Sequence, residues 1–280
     1  MQLISPDGDL IDVDRSHPDF DGMVIALGAL GPVVRITLDI EPSYQVQQDG
    51  YANLSWDAIV GHFDQVSNAG YSVSVMTMWA EPSARQVWVK TRLGDDHPRT
   101  NLADLGATPI PVADLGHGAN MNPFGSPGPW SRRLPHFRLD STPSRGHEIQ
   151  VEWMVPRSAF PGVALSLREH GDLIDSMLVI TELRTVAGDD QWLSPTQGQD
   201  VVGVHFTCNP DTDRVLSVLH VIEPILLAAG GRPHWGKFFL ASAAELAPRY
   251  PQLDRWLRLR DRFDPGHKFG NAFIADHLTG

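Results

Sequence analysis

The sequence predicts an α+β protein, on three observations. Runs that alternate apolar and polar residues, the mark of strands with one buried face, recur along the chain. Four separate runs carry apolar residues at three- and four-residue steps, as helices packed by one side do. Eight Trp and 22 Pro in 280 residues point to a β-rich body with much of its length in loops.

The first elements read as strand, turn and strand: Gln2–Ser5, the turn cluster Pro6–Asp9, and Leu10–Val13. A strand so near the first residue needs partners that nothing upstream in this sequence supplies. Met23–Gly31 follows, then Val33–Ile40, where Val34, Ile36, Leu38 and Ile40 share one face and Arg35, Thr37 and Asp39 the other. That pattern predicts a half-buried strand, ended by Pro42. Leu54–Asn68 has helical spacing through Trp56, Ile59, Val60 and Phe63; Tyr71–Trp79 and Gln86–Thr91 read as strands. Residues 93–146 are the least regular stretch, rich in Pro, Gly, Asp and Arg and centred on Asn120–Trp130. A loop of that length inside a compact domain is more often functional than idle. Beyond it, strands are expected at Glu148–Val155, Ser176–Thr185, Val201–Cys208 and Lys237–Leu240, and helices at Ser158–Glu169, Thr212–Ala229 and Gln252–Phe263. Pro251 suits the start of the last helix and Asp264-Pro265-Gly266 its end.

Composition excludes several classes. The formal net charge of -12 argues against a surface built for nucleic-acid phosphates. The charged residues of Gln252–Arg262 accordingly read as a solvated helix face. A lone cysteine, Cys208, rules out an internal disulfide framework and CxxC metal sites, and fits a reducing cytoplasm. The 12 histidines are scattered with no HExxH spacing, so no metal site is expected. No GxSxG elbow is present, and Gly28–Gly31 is not a GxGxxG fingerprint. Met1–Phe20 lacks the basic start and apolar run of a signal peptide, and no stretch reaches about 18 apolar residues, so no membrane partner is expected.

Two strands carry the chemistry. In Ile180–Thr185, alternation puts Glu182 and Arg184 on one face and Leu183 on the other. In Val204–Cys208, His205 and Thr207 share a face while Val204, Phe206 and Cys208 take the opposite one. A carboxylate, a guanidinium, an imidazole and a hydroxyl are what a polyol site would use. They are equally what the wet side of an ordinary antiparallel sheet displays, and spacing alone leaves both readings open. A third segment, Gly230–Phe239, opens on two glycines that suit a helix C-cap and then clusters Arg232, His234, Trp235 and Lys237.

His234–Lys237, Tyr250-Pro251 and Asp264–Asn271 together resemble the C-terminal signature of the aldonolactone and alditol oxidase group, within the vanillyl-alcohol-oxidase-type flavoprotein superfamily. Glu148–Arg157 is similar to that family's strand leading to a Pro-Arg turn, and Ala26–Leu38 to the turn and strand closing its flavin-binding region. Glu182, Arg184, Thr207 and Lys237 look most like the alditol oxidases. The resemblance spans essentially the whole chain, and its motifs are specific together rather than singly.

The resemblance implies a fold: part of an FAD-binding domain (residues 1–42), a substrate-binding cap domain with a large, mostly antiparallel sheet flanked by helices (43–240), and a segment returning to the FAD-binding domain (241–280). It implies FAD-dependent oxidation of a primary alcohol of a sugar alcohol such as xylitol or sorbitol to the aldose. Hydride would pass to flavin N5, and oxygen would be reduced to hydrogen peroxide. Arg184 and Lys237 would face the oxygen at the reacting carbon, with Glu182 as a third catalytic group that holds Arg184 and binds hydroxyls. Thr207 would bind a hydroxyl, and His205 would support the substrate site. Gly28, Gly31, Val33, His234 and Asn271 would contact the cofactor. Pro32 stands where the family carries an aliphatic residue and removes one N–H donor. The family's Gly-rich phosphate turn and its flavin-attaching histidine have no counterpart in the sequence. The chain therefore corresponds to the family without the N-terminal part of its FAD-binding domain. Weak FAD binding, exposed apolar surface near residues 1–42, and an inactive or merely polyol-binding fragment follow as expectations. An aldonolactone oxidase or dehydrogenase is the neighbouring reading, and a monomer is expected.

Overall fold

The computed structural model describes residues 1–95, 99–111, 125–134 and 146–279. Residues 120–124, in the middle of the expected long loop, lie outside the described residues. Strands occupy Gln2–Ile4 (β1), Leu10–Asp12 (β2), Val33–Arg35 (β3), Gln45–Ala52 (β4), Ser72–Thr77 (β5), Gln86–Arg92 (β6), Thr108–Pro109 (β7), Gly128–Pro129 (β8), Ile149–Pro156 (β9), Leu178–Val186 (β10), Val201–Cys208 (β11) and Arg232–Pro233 (β12). Helices occupy Phe20–Val24 (α1), Trp56–Gly61 (α2), Phe63–Ser67 (α3), Trp130–Arg133 (α4), Phe160–Arg168 (α5), Gly171–Asp175 (α6), Thr212–Ala228 (α7), Ala243–Leu246 (α8), Leu253–Phe263 (α9) and Ala272–Ile274 (α10).

Among the described residues the strands form two sheets. The small one has the order β2-β1-β3. The large one runs β12-β9-β11-β10-β5-β6-β4-β7, with β8 also on β4, and its pairs are antiparallel. Its back face is apolar: Val151, Trp153, Leu183, Val204 and Phe206 are buried under α2, α5 and α7. Aromatic rings weld this layer. Trp79 stacks on Trp56 at 5.1 Å and on Phe206 at 6.0 Å, and its indole N–H donates to Thr181 Oγ1 at 2.9 Å. That bond satisfies a hydroxyl which would otherwise be buried alone.

The small sheet and the C-terminal segment meet. Lys268 donates to Pro6 O, Arg262 pairs with Asp19, and Arg255 donates to Pro18 O at 3.3 Å. Gly31 has φ of 114°, and a Cβ there would lie 2.1 Å from Ile4 O, so the turn into β3 admits only glycine.

Three expectations about local structure are corrected. The strand read at Val33–Ile40 forms only as far as Arg35; Ile36, Leu38 and Ile40 have no core to pack on, and Ile40 is 95% exposed. Met23–Gly31, left unassigned by its pattern, is the end of a short helix and a turn, with positive φ at Leu27 and Gly28. The helix expected at Leu54–Asn68 is two, broken at His62, which ends α2 and begins α3. Lys237–Leu240 is not a strand: Lys237 N–H bonds back to His234 O at 3.0 Å, closing a turn.

Candidate active site

The exposed-side face of the large sheet is polar, and its centre is set by register. Glu182 on β10 lies directly opposite His205 on β11, which lies directly opposite Glu152 on β9. Thr207 is likewise opposite Gln150. Side chains directly opposite share a face, so alternation on three strands places these five groups together. The expected pairings of Glu182 with Arg184 and of His205 with Thr207 are both present.

The segment after α7 supplies the rest. The helix ends on Gly230, at φ of 81°, with Gly230 N–H and Gly231 N–H bonded back to Leu227 O and Leu226 O. The chain then runs along the β9 edge: His234 N–H donates to Glu152 O and Phe238 N–H to Gln150 O, each at 2.9 Å. Between these anchors the turn carries Lys237 to Gln150, whose Oε1 accepts from Nζ. Trp235 pins the turn, donating to Leu193 O at 2.6 Å and stacking on Tyr250 at 5.0 Å. Glu223 on α7 accepts the Leu240 and Ala241 N–H groups, fixing the far end.

The electrostatics centre on a residue that sequence reasoning passed over. Glu152 is 3% exposed. Its Oε1 accepts from Arg184 Nη2 at 2.8 Å, and its Oε2 lies 3.3 Å from His205 Nδ1. Burial works to raise its pKa, yet His205 and the Arg184 charge outweigh burial and bring it down to about 2. Arg184 is itself held above its ordinary value, burial being more than offset by Glu182 and Glu152. Glu182 pairs with Arg184 at 3.5 Å, and the shorter, directed bond of Arg184 goes to Glu152. His205 Nε2 lies 3.2 Å from Thr207 Oγ1. The Glu152 carboxylate favours a proton on Nδ1, leaving Nε2 to accept from the threonine hydroxyl. His234 Nδ1 accepts Gly236 N–H at 3.0 Å, so a neutral ring carries its proton on Nε2. Burial lowers the His234 pKa, with Glu152 opposing and Lys237 adding to the decrease.

The polar face continues outward to Lys90 on β6, whose pKa burial also lowers. Glu152, Gln150 and Lys90 all sit at alternate positions between apolar residues (Val151, Trp153, Val89). The alternation that exposed Glu182 and His205 would have found them too.

The residues expected to contact the cofactor divide. His234 lies at the site. Gly28, Gly31 and Val33 belong to the small sheet and the turn before it, and Asn271 spends its side-chain oxygen capping α10, accepting Ile274 N–H at 3.0 Å.

The sequence is 41% identical to the alditol oxidase of Streptomyces sp. (strain IKD472 / FERM P-14339), over the whole of this chain and 67% of that protein. The chain belongs to the alditol oxidase family. The family model for D-arabinono-1,4-lactone oxidase matches residues 143–277, which contain β9 to β12 and so every residue of the central cluster. The L-gulono-1,4-lactone dehydrogenase of Mycobacterium tuberculosis (strain ATCC 25618 / H37Rv) is 39% identical over 49% of this chain and 32% of its own length. Two solved structures share the fold. The xylooligosaccharide oxidase of Myceliophthora thermophila C1 has a TM-score of 0.64 at 13% identity, covering all of this chain and 66% of that one. A VAO-type flavoprotein of the same organism has a TM-score of 0.63 at 14% identity, with coverage of 94% and 54%. The chain thus spans about two thirds of the alditol oxidase relative and less of the others. The α+β class with a large antiparallel sheet is that of VAO-type flavoproteins. Among the described residues no helix is long and apolar enough to cross a membrane.

Proposed function

We propose that this chain carries the substrate half of an FAD-dependent oxidase of sugar alcohols. The observation that carries the reading is the convergence of Arg184, Lys237, Glu182, His205 and Thr207 on one sheet face in an alditol oxidase family member. A linear polyol presents a ladder of hydroxyls, each needing a donor and an acceptor when taken from water. Glu182 and Thr207 accept, and Arg184 and Lys237 donate. Around the hydroxyl to be oxidised, Arg184 and Lys237 place two positive charges. These favour alkoxide character on that oxygen as its O–H proton is drawn to the neighbouring acceptor Glu182, and hydride leaves from that alkoxide; the charges are in place before substrate arrives.

The donor set fits a flavin. The cluster offers fixed cations and His234 to an electron-accepting ring, and it balances two cations with two carboxylates. FAD, when bound, supplies the redox chemistry by accepting the hydride and returning the electrons to oxygen as hydrogen peroxide. His234 would meet the ring, while Gly28, Gly31 and the Val33 backbone would serve the adenine side. Residues 1–42 and 241–280 form the flavin side and 43–240 the substrate side; the contacts of Lys268, Arg262 and Arg255 with residues 6–19 support that division.

A second reading, an aldonolactone oxidase or dehydrogenase, is favoured by the family model over residues 143–277. A substrate panel with peroxide detection separates the two. Polyol-dependent peroxide supports the first; turnover of lactones with none of polyols supports the second.

A further inference from the structure

We infer that Glu152 is a positioning residue of the site, holding both Arg184 and His205 in the geometry that the polyol requires. The inference rests on the reading of this face as the polyol site.

A carboxylate this deeply buried is costly unless each oxygen is matched. One oxygen of Glu152 accepts from Arg184, the other lies 3.3 Å from His205 Nδ1, and its backbone oxygen holds His234. Three groups that face the substrate, from β10, β11 and the turn after β12, therefore meet at one residue of β9. The path from Arg184 to Glu152 crosses β11 at Gly203, which lies directly opposite Arg184 on one side and Met154 on the other. A Cβ on Gly203 would stand 3.3 Å from Glu152 Oε1 and 3.6 Å from Arg184 Cγ, so the missing side chain is the passage the ion pair uses. Without the Glu152 charge, Arg184 has one other anion within reach among the described residues, Glu182 at 3.5 Å. The guanidinium would turn to it, leave the reacting oxygen and occupy the carboxylate that should bind a substrate hydroxyl. The Glu152 anion also selects the His205 tautomer that takes the Thr207 proton, so the hydroxyl's lone pairs stay aimed at substrate.

The test is Glu152→Gln, alone and combined with Arg184→Met, in the FAD-loaded full chain. With xylitol, Glu152→Gln is expected to lower kcat about 100-fold, the cost of a misplaced catalytic group, and KM by much less. In the Arg184→Met background the same change is expected to cost no more than about 3-fold. An equal loss in both backgrounds would overturn the proposal, because Glu152 would then not act through Arg184. A crystal structure of Glu152→Gln provides a readout independent of turnover. Arg184 is expected to have moved onto Glu182, and an unmoved Arg184 overturns the proposal even if no polyol is oxidised; polyol inactivity of the wild type would sink the function reading alone. If Glu152→Gln does not fold, Glu152→Asp keeps the charge but retracts it by one methylene, and the same displacement of Arg184 decides the matter.

Discussion

Arg184 reaches over β11 to Glu152, 2.8 Å away, through the space above Gly203. The relationship ties three strands into one electrostatic unit and sets several expectations.

Gly203→Val should block that passage. The extended backbone accepts valine, so the change tests the side-chain path rather than the strand. Polyol turnover is expected to fall by about 10- to 100-fold. Near-normal turnover in a steady-state peroxide assay would show that the Arg184–Glu152 contact is dispensable.

Arg184→Lys and Lys237→Met remove charge geometry from the reacting oxygen. Each should reduce kcat/KM by about 10²- to 10³-fold, the cost of losing one preorganised donor. Lysine is no substitute at Arg184, since its ammonium cannot span both Glu152 and Glu182. A loss under about 3-fold for either would remove that residue from the chemistry.

Two buried carboxylates give stability opposite pH dependences. Burial pushes Glu223 up to about 7, against the pull of the Leu240 and Ala241 N–H groups. Its folded pKa exceeds its unfolded one, so its contribution is full below about 4.5 and is lost as pH rises through about 7. Glu152, at about 2 when folded, contributes stability above about 4.5 that is lost as pH falls toward 2. Thermal melts should show a decline of several degrees from about pH 5 to 7 that Glu223→Gln flattens. An unchanged slope in Glu223→Gln would assign the decline elsewhere.

Ile36, Leu38 and Ile40 are exposed in a row after β3. Such an exposed apolar stripe, next to the β3 edge of the small sheet, promotes self-association. The triple change to Lys should reduce binding of a hydrophobic dye and shift sedimentation toward the monomer, with little change in melting temperature. Identical sedimentation would show that the stripe is not the adhesive surface.

The strands of the candidate site were legible in the sequence because one face of each is buried. Leu183, Val204 and Phe206 mark the inside, and Glu182, Arg184, His205 and Thr207 are what remains. The same rule misled at Val34–Ile40, where alternation is present but no layer covers it. β4 escaped notice because Gln45, Gln47, Gln48 and Asp49 carry little apolar signal; its strand is fixed by pairing with β6, 40 residues on in the sequence. Glu152 stands at an alternate position between Val151 and Trp153 and was open to the same rule. What one dimension hides is its compensation by Arg184 and His205, which only the β9-β11-β10 order brings near. The turn carrying Lys237 is likewise set by anchors on β9 rather than by its own residues.

The most direct test of the central claim is anaerobic bleaching of the visible flavin absorbance by xylitol or sorbitol in the FAD-loaded protein, beside its Arg184→Met variant. The account expects polyol to bleach the flavin, lactones to do so poorly, and the variant to be slower by at least about 100-fold. Rapid bleaching by lactones with none by polyols, or an Arg184→Met variant as fast as the wild type, would contradict it.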